Sequence, residues 1–298
     1  MSTMREAFAR TVTEAMETDP RLVVVLAEIS RDVFPTTDRV INVGIREQAM
    51  VGVGAGLALS GLRPVVHSYA PFLVERPFEQ VKLDFGHQDL GGVLVSVGAS
   101  YDDPGWGRTH QAPGDVALID TLPGWTVHVP GHPDEVVPLL RTALAAENRV
   151  YLRLSLRTNA RAYPVAEGFT VVRKGRLGVV LAVGPMLDRV LEATEGVDVT
   201  VLYAATVRPF DGEGLRRAVR AADHADVLLV EPYLAGTSTH VVAEALADVP
   251  ARVRSLGVQR EAELHAYGTV EDHDAAHDLD VLGVAAAVRR MYDHGGQA

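Results

Sequence analysis

The chain has no cysteine. That excludes disulfides, thiolate zinc sites, iron–sulfur clusters and a cysteine nucleophile, and it leaves the redox compartment open. No uninterrupted apolar run approaches the roughly 20 residues that a membrane span needs. The opening Met1-Ser2-Thr3-Met4-Arg5-Glu6 lacks the apolar stretch of a signal peptide, so the expectation is a soluble, cytoplasmic protein with no membrane partner. Basic charge is also short. Against 39 Asp and Glu stand 28 Lys and Arg, a formal net charge of −11. A phosphate backbone calls for a basic face, so nucleic acid is not the expected partner. Gly (27) and Pro (16) are too few for a collagen-like or low-complexity chain. What is present is an ordinary globular balance, 47% hydrophobic and 22% charged, in 298 residues. At roughly 150 residues per domain, that length predicts about two domains.

Short β-branched runs alternate with longer amphipathic stretches. Residues 3–18 read as a helix with Ala7, Val12, Ala15 and Met16 on one face. Leu22–Leu26 and Val93–Val97 read as strands buried on both faces, and Pro64–His67 as a short one. Helices are expected over 46–60, 72–85 and 134–146, and strands over 125–129 and 150–154. Residues 98–114 form a Gly/Asp/Pro-rich loop of a length that is usually functional. After a linker at 158–175, alternation resumes with strands at 178–183, 197–203, 226–230 and 251–256. Helices at 185–194, 212–222, 238–247 and 282–292 complete that part. The fold class is therefore α/β, with two domains at 1–157 and 176–298, each a mostly parallel sheet flanked by helices. Ligands of such sheets sit beyond the carboxyl ends of the strands, where the 98–114 loop lies.

Three groups of residues have the makings of a site. In Ile41-Asn42-Val43-Gly44-Ile45-Arg46-Glu47-Gln48 a strand ends, turns at Gly and starts a helix. Glu47 either complements the helix dipole or carries chemistry. In Gly107-Arg108-Thr109-His110-Gln111, His110 reads as a general acid/base, a substrate hydrogen-bond donor or a solvated loop histidine. Tyr69, Phe72 and Phe78 around Pro71 read as core or as the wall of a pocket for a flat heterocycle. Other features favour plainer readings. Gly52, Gly54 and Gly56 lie inside a helical pattern and suggest close packing, not a phosphate loop. His273 and His277 stand four apart, among acidic residues that suggest a solvated surface over a metal site. Thr237 or Ser238 before His240 suggests a helix cap.

Together these pieces resemble transketolases and 1-deoxyxylulose-5-phosphate synthases. The resemblance rests on Arg39–Gln48, on Arg63-Pro64-Val65-Val66 with Tyr69, Phe72, Arg76 and Gln80, and on Thr109-His110-Gln111. Thr206–Asp211 and Glu231–His240 extend it, so that it covers essentially the whole chain. The Gly-Asp-Gly block of the family's diphosphate-binding domain is absent from this sequence. The chain thus resembles the C-terminal subunit of a split transketolase: a pyrimidine-binding domain followed by the transketolase C-terminal domain. The resemblance implies an N-terminal diphosphate-binding subunit as a separate partner, assembly into a heterotetramer, and thiamine diphosphate with Mg²⁺ held mainly by that partner. It gives Glu47 the carboxyl that bonds the cofactor's pyrimidine ring and promotes its imino form. It gives Tyr69 and Phe72, with Arg76, the ring-binding wall, and His110 the substrate oxygens near the reacting carbon. It identifies no metal ligand in this chain.

Departures bear on the substrate. Trp106 stands where the family has an Asp that contacts a sugar hydroxyl, and Arg108 where it has a Pro. Gly98 replaces a phosphate-side His and Asp32 a phosphate-binding Ser, while Arg5 and Arg157 match phosphate-side arginines. Trp106, Arg108, His110 and Arg157 are therefore the expected substrate contacts. The implied activity is transfer of a two-carbon ketol or acyl unit from a ketone donor to an aldehyde or other acyl acceptor, with specialised substrates. The alternatives are an acyloin-forming carboligase using a 2-oxo acid donor, with Arg108 as carboxylate partner, and a non-catalytic scaffold.

Overall fold

The computed structural model describes residues 2–165, 168–261 and 263–293. Helix α1 (Met4–Thr18) starts at a capping box: Thr3 Oγ1 accepts from Glu6 N, and Thr3 N donates to Glu6 Oε2. Such reciprocal bonds satisfy two donors that a helix start otherwise leaves open. Strands β1 (Leu22–Leu26), β2 (Val40–Asn42), β3 (Arg63–Tyr69), β4 (Gly92–Val97), β5 (Trp125–His128) and β6 (Arg149–Arg153) pair in parallel, in the order β5-β6-β4-β3-β1-β2. Helices α2 (Glu47–Leu59), α3 (Phe78–Gln80, a single turn), α4 (Asp115–Asp120) and α5 (Pro133–Ala145) flank this sheet. A second sheet runs β12-β11-β8-β9-β7, from β7 (Thr170–Arg173), β8 (Val179–Val183), β9 (Thr200–Ala204), β11 (Asp226–Leu234) and β12 (Arg252–Val258). It is parallel except at β7. Strand β10 (Thr206–Arg208) crosses back and pairs antiparallel with β5. Helices α6 (Leu187–Ala193), α7 (Gly212–Arg220), α8 (Thr239–Ala245), α9 (Val270–Ala276) and α10 (Val281–Tyr292) complete the order.

This is the α/β architecture that the alternation implied, with three local differences. The span 72–85 is not one helix. Two π-helical stretches, Pro71–Glu75 and Val81–His87, flank the α3 turn. Pro77 between them has no N–H to continue a ladder. The span 158–175 contains β7, an antiparallel edge strand too short to show a period. Strand β10 and helices α4 and α9 fall in stretches to which the sequence pattern assigns no element.

All five residues of β1 and all six of β4 are buried, as their unbroken apolar runs require. On one face α1 lays Phe8 and Val12 against Leu26 and Val95; each such side chain contributes about 1.5–3 kcal/mol. On the other face a single core runs from Val66 and Phe85 through Val127 to Leu181 and Leu229, so the two sheets share it. Among the described residues no helix is long and apolar enough to cross a membrane.

A buried polar network joins the two sheets. Asp115 Oδ2 accepts from Tyr151 Oη and from Arg153 Nε, both at 2.7 Å. Arg153 Nη2 donates to Ser100 Oγ, which donates to the Pro232 carbonyl on β11. Asp115 and Arg153 are essentially inaccessible, so removing one charge strands the other. Asp115→Ala should cost about 3–5 kcal/mol in urea unfolding, more than replacing both Asp115 and Arg153 by Leu and Met.

Candidate functional site

Parallel strands all leave the first sheet at the same edge. Residues 27–33 follow β1, 43–47 follow β2, 70–76 follow β3, 98–114 follow β4 and 154–158 follow β6. Gly44, at φ +71°, turns the chain from β2 into α2, a conformation that suits glycine. Glu47 then occupies the first turn of α2, buried. Its Oε1 lies 2.8 Å from Arg76 Nη1. The Arg76 guanidinium sits 4.2 Å from the Phe72 ring centroid. Phe72 meets His110 edge-on at 5.0 Å, and Tyr69 lies 6.1 Å from Phe72 and 5.6 Å from His110. The Trp106 indole is 5.2 Å from His110. Glu47, Arg76, Phe72, Tyr69, His110 and Trp106 thus form one continuous chain of contacts from three separate strand exits. Phe72 sits in a π-helical turn, a distortion common at functional sites.

The loop that carries His110 is held down by specific bonds. A bridge joins Ser100 to Ala112. Asp102, buried, accepts from Ala99 N, Ser155 Oγ and Leu156 N, which ties the loop to the end of β6. Burial pushes the Asp102 carboxyl above the usual range. Gly98 is required where it stands: its φ is +71°, and a Cβ there would lie 2.2 Å from Tyr69 Cδ1. The His110 Nδ1 is 3.0 Å from Thr109 Oγ1.

Beyond His110 opens a cavity of about 1090 Å³, bounded by Tyr69, Gly98, Trp106 and His110 on one side and by Arg5, Ser30 and Asp32 on the other. Glu47, Phe72 and Arg76 do not line it. Arg5 is set by a buried relay. His67 Nδ1 lies 2.7 Å from the Val95 carbonyl, which only accepts, so Nδ1 carries the proton. Nε2 therefore accepts from Ser30 Oγ at 2.8 Å, and Ser30 Oγ accepts from Arg5 Nε at 2.8 Å. Arg5 Nη2 donates to Asp32 Oδ1 at 2.8 Å. Sequence reasoning passed over His67 and Ser30. A polar residue inside an apolar strand is the signal, but its partners lie far along the chain.

Two expected substrate contacts lie elsewhere. Arg108 Nε pairs with Glu263 at 3.0 Å and its Nη1 donates to the Gln111 carbonyl. Both line a separate small cleft between the sheets. Arg157 turns inward, with Nη1 2.5 Å from Asp274 and its guanidinium 4.7 Å from the Tyr101 ring centroid. The histidines beside it are not on a solvated surface. His273 stacks on Tyr101 at 5.0 Å, and His277 accepts from Gln259 N. Among the described residues no group of three or more His, Cys, Asp or Glu is placed to hold a metal ion. Of the α2 glycines, Gly54 needs its small size, because a Cβ would lie 2.7 Å from Val66 Cγ2; Gly56 has nothing within 4 Å. Ser238 stands at the N-cap of α8 as expected but makes no side-chain cap bond; its Oγ accepts from Arg208, and His240 faces Asp120 at 3.4 Å.

Residues 1–161 match the transketolase pyrimidine-binding domain, more than half of the chain. The chain belongs to the transketolase family. It is 54% identical over 291 residues to an uncharacterised 33.6 kDa protein in the fasciation locus of Rhodococcoides fascians, covering 96% of this chain and 93% of that one. It is 30% identical over 284 residues to a 6-deoxy-6-sulfo-D-fructose transketolase subunit of Clostridium sp. (strain MSTE9), covering 86% and 84%. The 1-deoxy-D-xylulose-5-phosphate synthase of Thioalkalivibrio sulfidiphilus (strain HL-EbGR7) is 31% identical over 301 residues, 95% of this chain. Only 46% of that synthase is matched, so the chain spans about half its length. Among solved structures, a split-gene transketolase described as an inactive β4 tetramer superposes with a TM-score of 0.82 at 27% identity. That match covers 97% of this chain and 98% of the other. This transketolase chain therefore corresponds to the C-terminal subunit of a split transketolase.

Burial pulls His67 down to about 4, so in the folded transketolase chain its ring is neutral at neutral pH. An unfolded histidine titrates near 6.5, so the stability tied to neutral His67 is complete above about pH 6.5 and is lost as pH falls toward 4. NMR of ¹⁵N-labelled histidine should show the Nδ1–H tautomer of His67 persisting to about pH 4. Protonation near 6.5 would break the relay to Arg5.

Proposed function

We propose that this chain is the ring-binding half of a thiamine diphosphate-dependent transferase, active with a separate N-terminal subunit. It moves a two-carbon ketol or acyl unit from a ketone donor to an aldehyde or other acyl acceptor. The observation that carries this reading is a buried carboxyl, Glu47, beside an aromatic wall that ends on His110. The residues fit the ring end of the cofactor: a flat heterocycle needs one charged or polar anchor and an apolar face. They offer no counterpart for a diphosphate and its Mg²⁺, which this reading assigns to the partner within a heterotetramer.

When bound, the cofactor supplies the electron sink for the carbon that is transferred. The rest is done by the chain's own side chains. Glu47 holds a proton at the ring nitrogen of the pyrimidine, and Arg76 fixes the orientation of that carboxyl. Phe72 and Tyr69 stack against the ring and exclude water. His110 donates to substrate oxygen at the mouth of the large cavity, and Trp106 covers that position from outside. Arg157 acts here as structure: its bond to Asp274 fastens α9 to the loop after β6.

The acyloin alternative loses its carboxylate partner, because Arg108 faces Glu263 across another cleft. The scaffold alternative leaves no reason for Glu47 to be buried at the aromatic wall. Relatives that bear transketolase names cover this chain along most of its length, which supports transfer over either alternative.

In the complex with its N-terminal partner, Glu47→Gln should lower kcat by about 10²–10⁴, the usual worth of a positioned proton donor. The sedimentation coefficient of the complex should stay the same. Near-normal turnover in that variant would remove Glu47 from the chemistry. Calorimetry on the isolated chain should find weak or no thiamine diphosphate binding, because a ring wall alone supplies little of the affinity.

A further inference from the structure

The large cavity has an unusual balance of charge. Among the described residues, the lining of the whole cavity includes the carboxylates Glu6, Glu28, Asp32, Asp103 and Asp134 and a single arginine, Arg5. No lysine lines it. Of the two histidines there, His132 uses Nδ1 to accept from Asp134 N.

Arg5 presents an anion with neither its Nε/Nη2 edge nor an uncompensated charge. A guanidinium recognises phosphate or sulfonate with two parallel N–H bonds from one edge of its fork. Here Nε is spent on Ser30 Oγ and Nη2 on Asp32 Oδ1. The relay from Val95 through His67 and Ser30 holds the guanidinium in this pose from the buried side. Asp32 itself is well exposed, with 76% of its side chain accessible, so an incoming anion would meet its charge directly. Like charges repel, and because Asp32 offsets the charge of Arg5 the pair offers an anion no net attraction.

We propose that Asp32 closes this end of the cavity to phosphate, and that the substrate reaching His110 is an unphosphorylated ketone or aldehyde with an uncharged distal end. This rests on the reading of the cavity as the substrate site given above. Arg5 and Asp32 then act together as a neutral donor–acceptor pair for hydroxyl or carbonyl groups, and the remaining carboxylates accept from hydroxyls. The relative named for 6-deoxy-6-sulfo-D-fructose has an anionic sugar in its name; this chain turns such a group away.

The test has one arm that needs no turnover and one that does. In the full chain, inorganic phosphate at millimolar levels should leave the Arg5 Nε–H resonance in place. In Asp32→Ser it should shift that resonance saturably. In the reconstituted complex, kcat/KM should be compared for D-xylulose 5-phosphate against D-xylulose, and for D-erythrose 4-phosphate against D-erythrose. The phosphorylated over unphosphorylated ratio should lie below one and rise about tenfold or more in Asp32→Ser, a change of about 1.4 kcal/mol. A saturable phosphate shift in the unsubstituted chain overturns the proposal. So does the absence of a shift in both proteins, or a ratio that Asp32→Ser leaves unchanged. If the complex turns over none of these pairs while the phosphate arm behaves as expected, the transfer reading fails and the exclusion of phosphate stands.

Discussion

Parallel pairing of β2, β1, β3, β4 and β6 sends every chain exit to one edge of the first sheet. That single constraint brings residues 32, 47, 72 and 110 to one edge although they are spread over nearly eighty positions. β1 and β4 bury both faces along their whole length, so their register cannot slip without exposing apolar side chains. The exits are fixed as firmly as the core. Site geometry and fold stability are thus consequences of the same packing.

Rigid exits do not by themselves place a side chain, and buried polar bonds do the rest. Asp102 binds three donors and joins the 98–114 loop to β6. Asp115 and Arg153 carry the tie onward to β11 through Ser100. His67 reaches from β3 to Ser30 and so to Arg5. A buried network that is fully satisfied specifies one arrangement, whereas a half-satisfied one costs more than an apolar core. Each of these carboxyls and rings therefore acts as a positioning element one step removed from substrate.

How much of this was legible follows the range of the interactions. β1 and β4 were readable because five or six consecutive apolar residues leave no other role, and α1 because its cap and apolar face are local. The blocks around Glu47 and His110 were readable as candidates because Gly-containing turns at strand ends have few other uses, and their shared separation matched a family. The break at Pro77 is local and stands in the proline itself, whereas the edge strand β7 and the crossing strand β10 depend on partners elsewhere in the chain. The same holds for side-chain direction. Arg108 and Arg157 sit close to the site in sequence, yet Glu263 and Asp274 pull them away. Nothing near either arginine announces those partners.

Tyr69 and His110 stand between two chemically different spaces. On one side lie Phe72, Arg76 and the buried Glu47; on the other lies a cavity with five carboxylates and one compensated arginine. A diphosphate placed in the second space would meet repulsion from nearly every charged group there. The first space already has Arg76 on Glu47 and an aromatic face, so it suits a heterocycle approached from outside the chain. The proposed division of labour follows from this asymmetry: the partner supplies cations for the diphosphate, and this chain supplies the ring pocket and an acid-lined path for a neutral substrate. Tyr69 and His110 both touch the two spaces, and of the two the proposed reading gives the imidazole the reacting carbon.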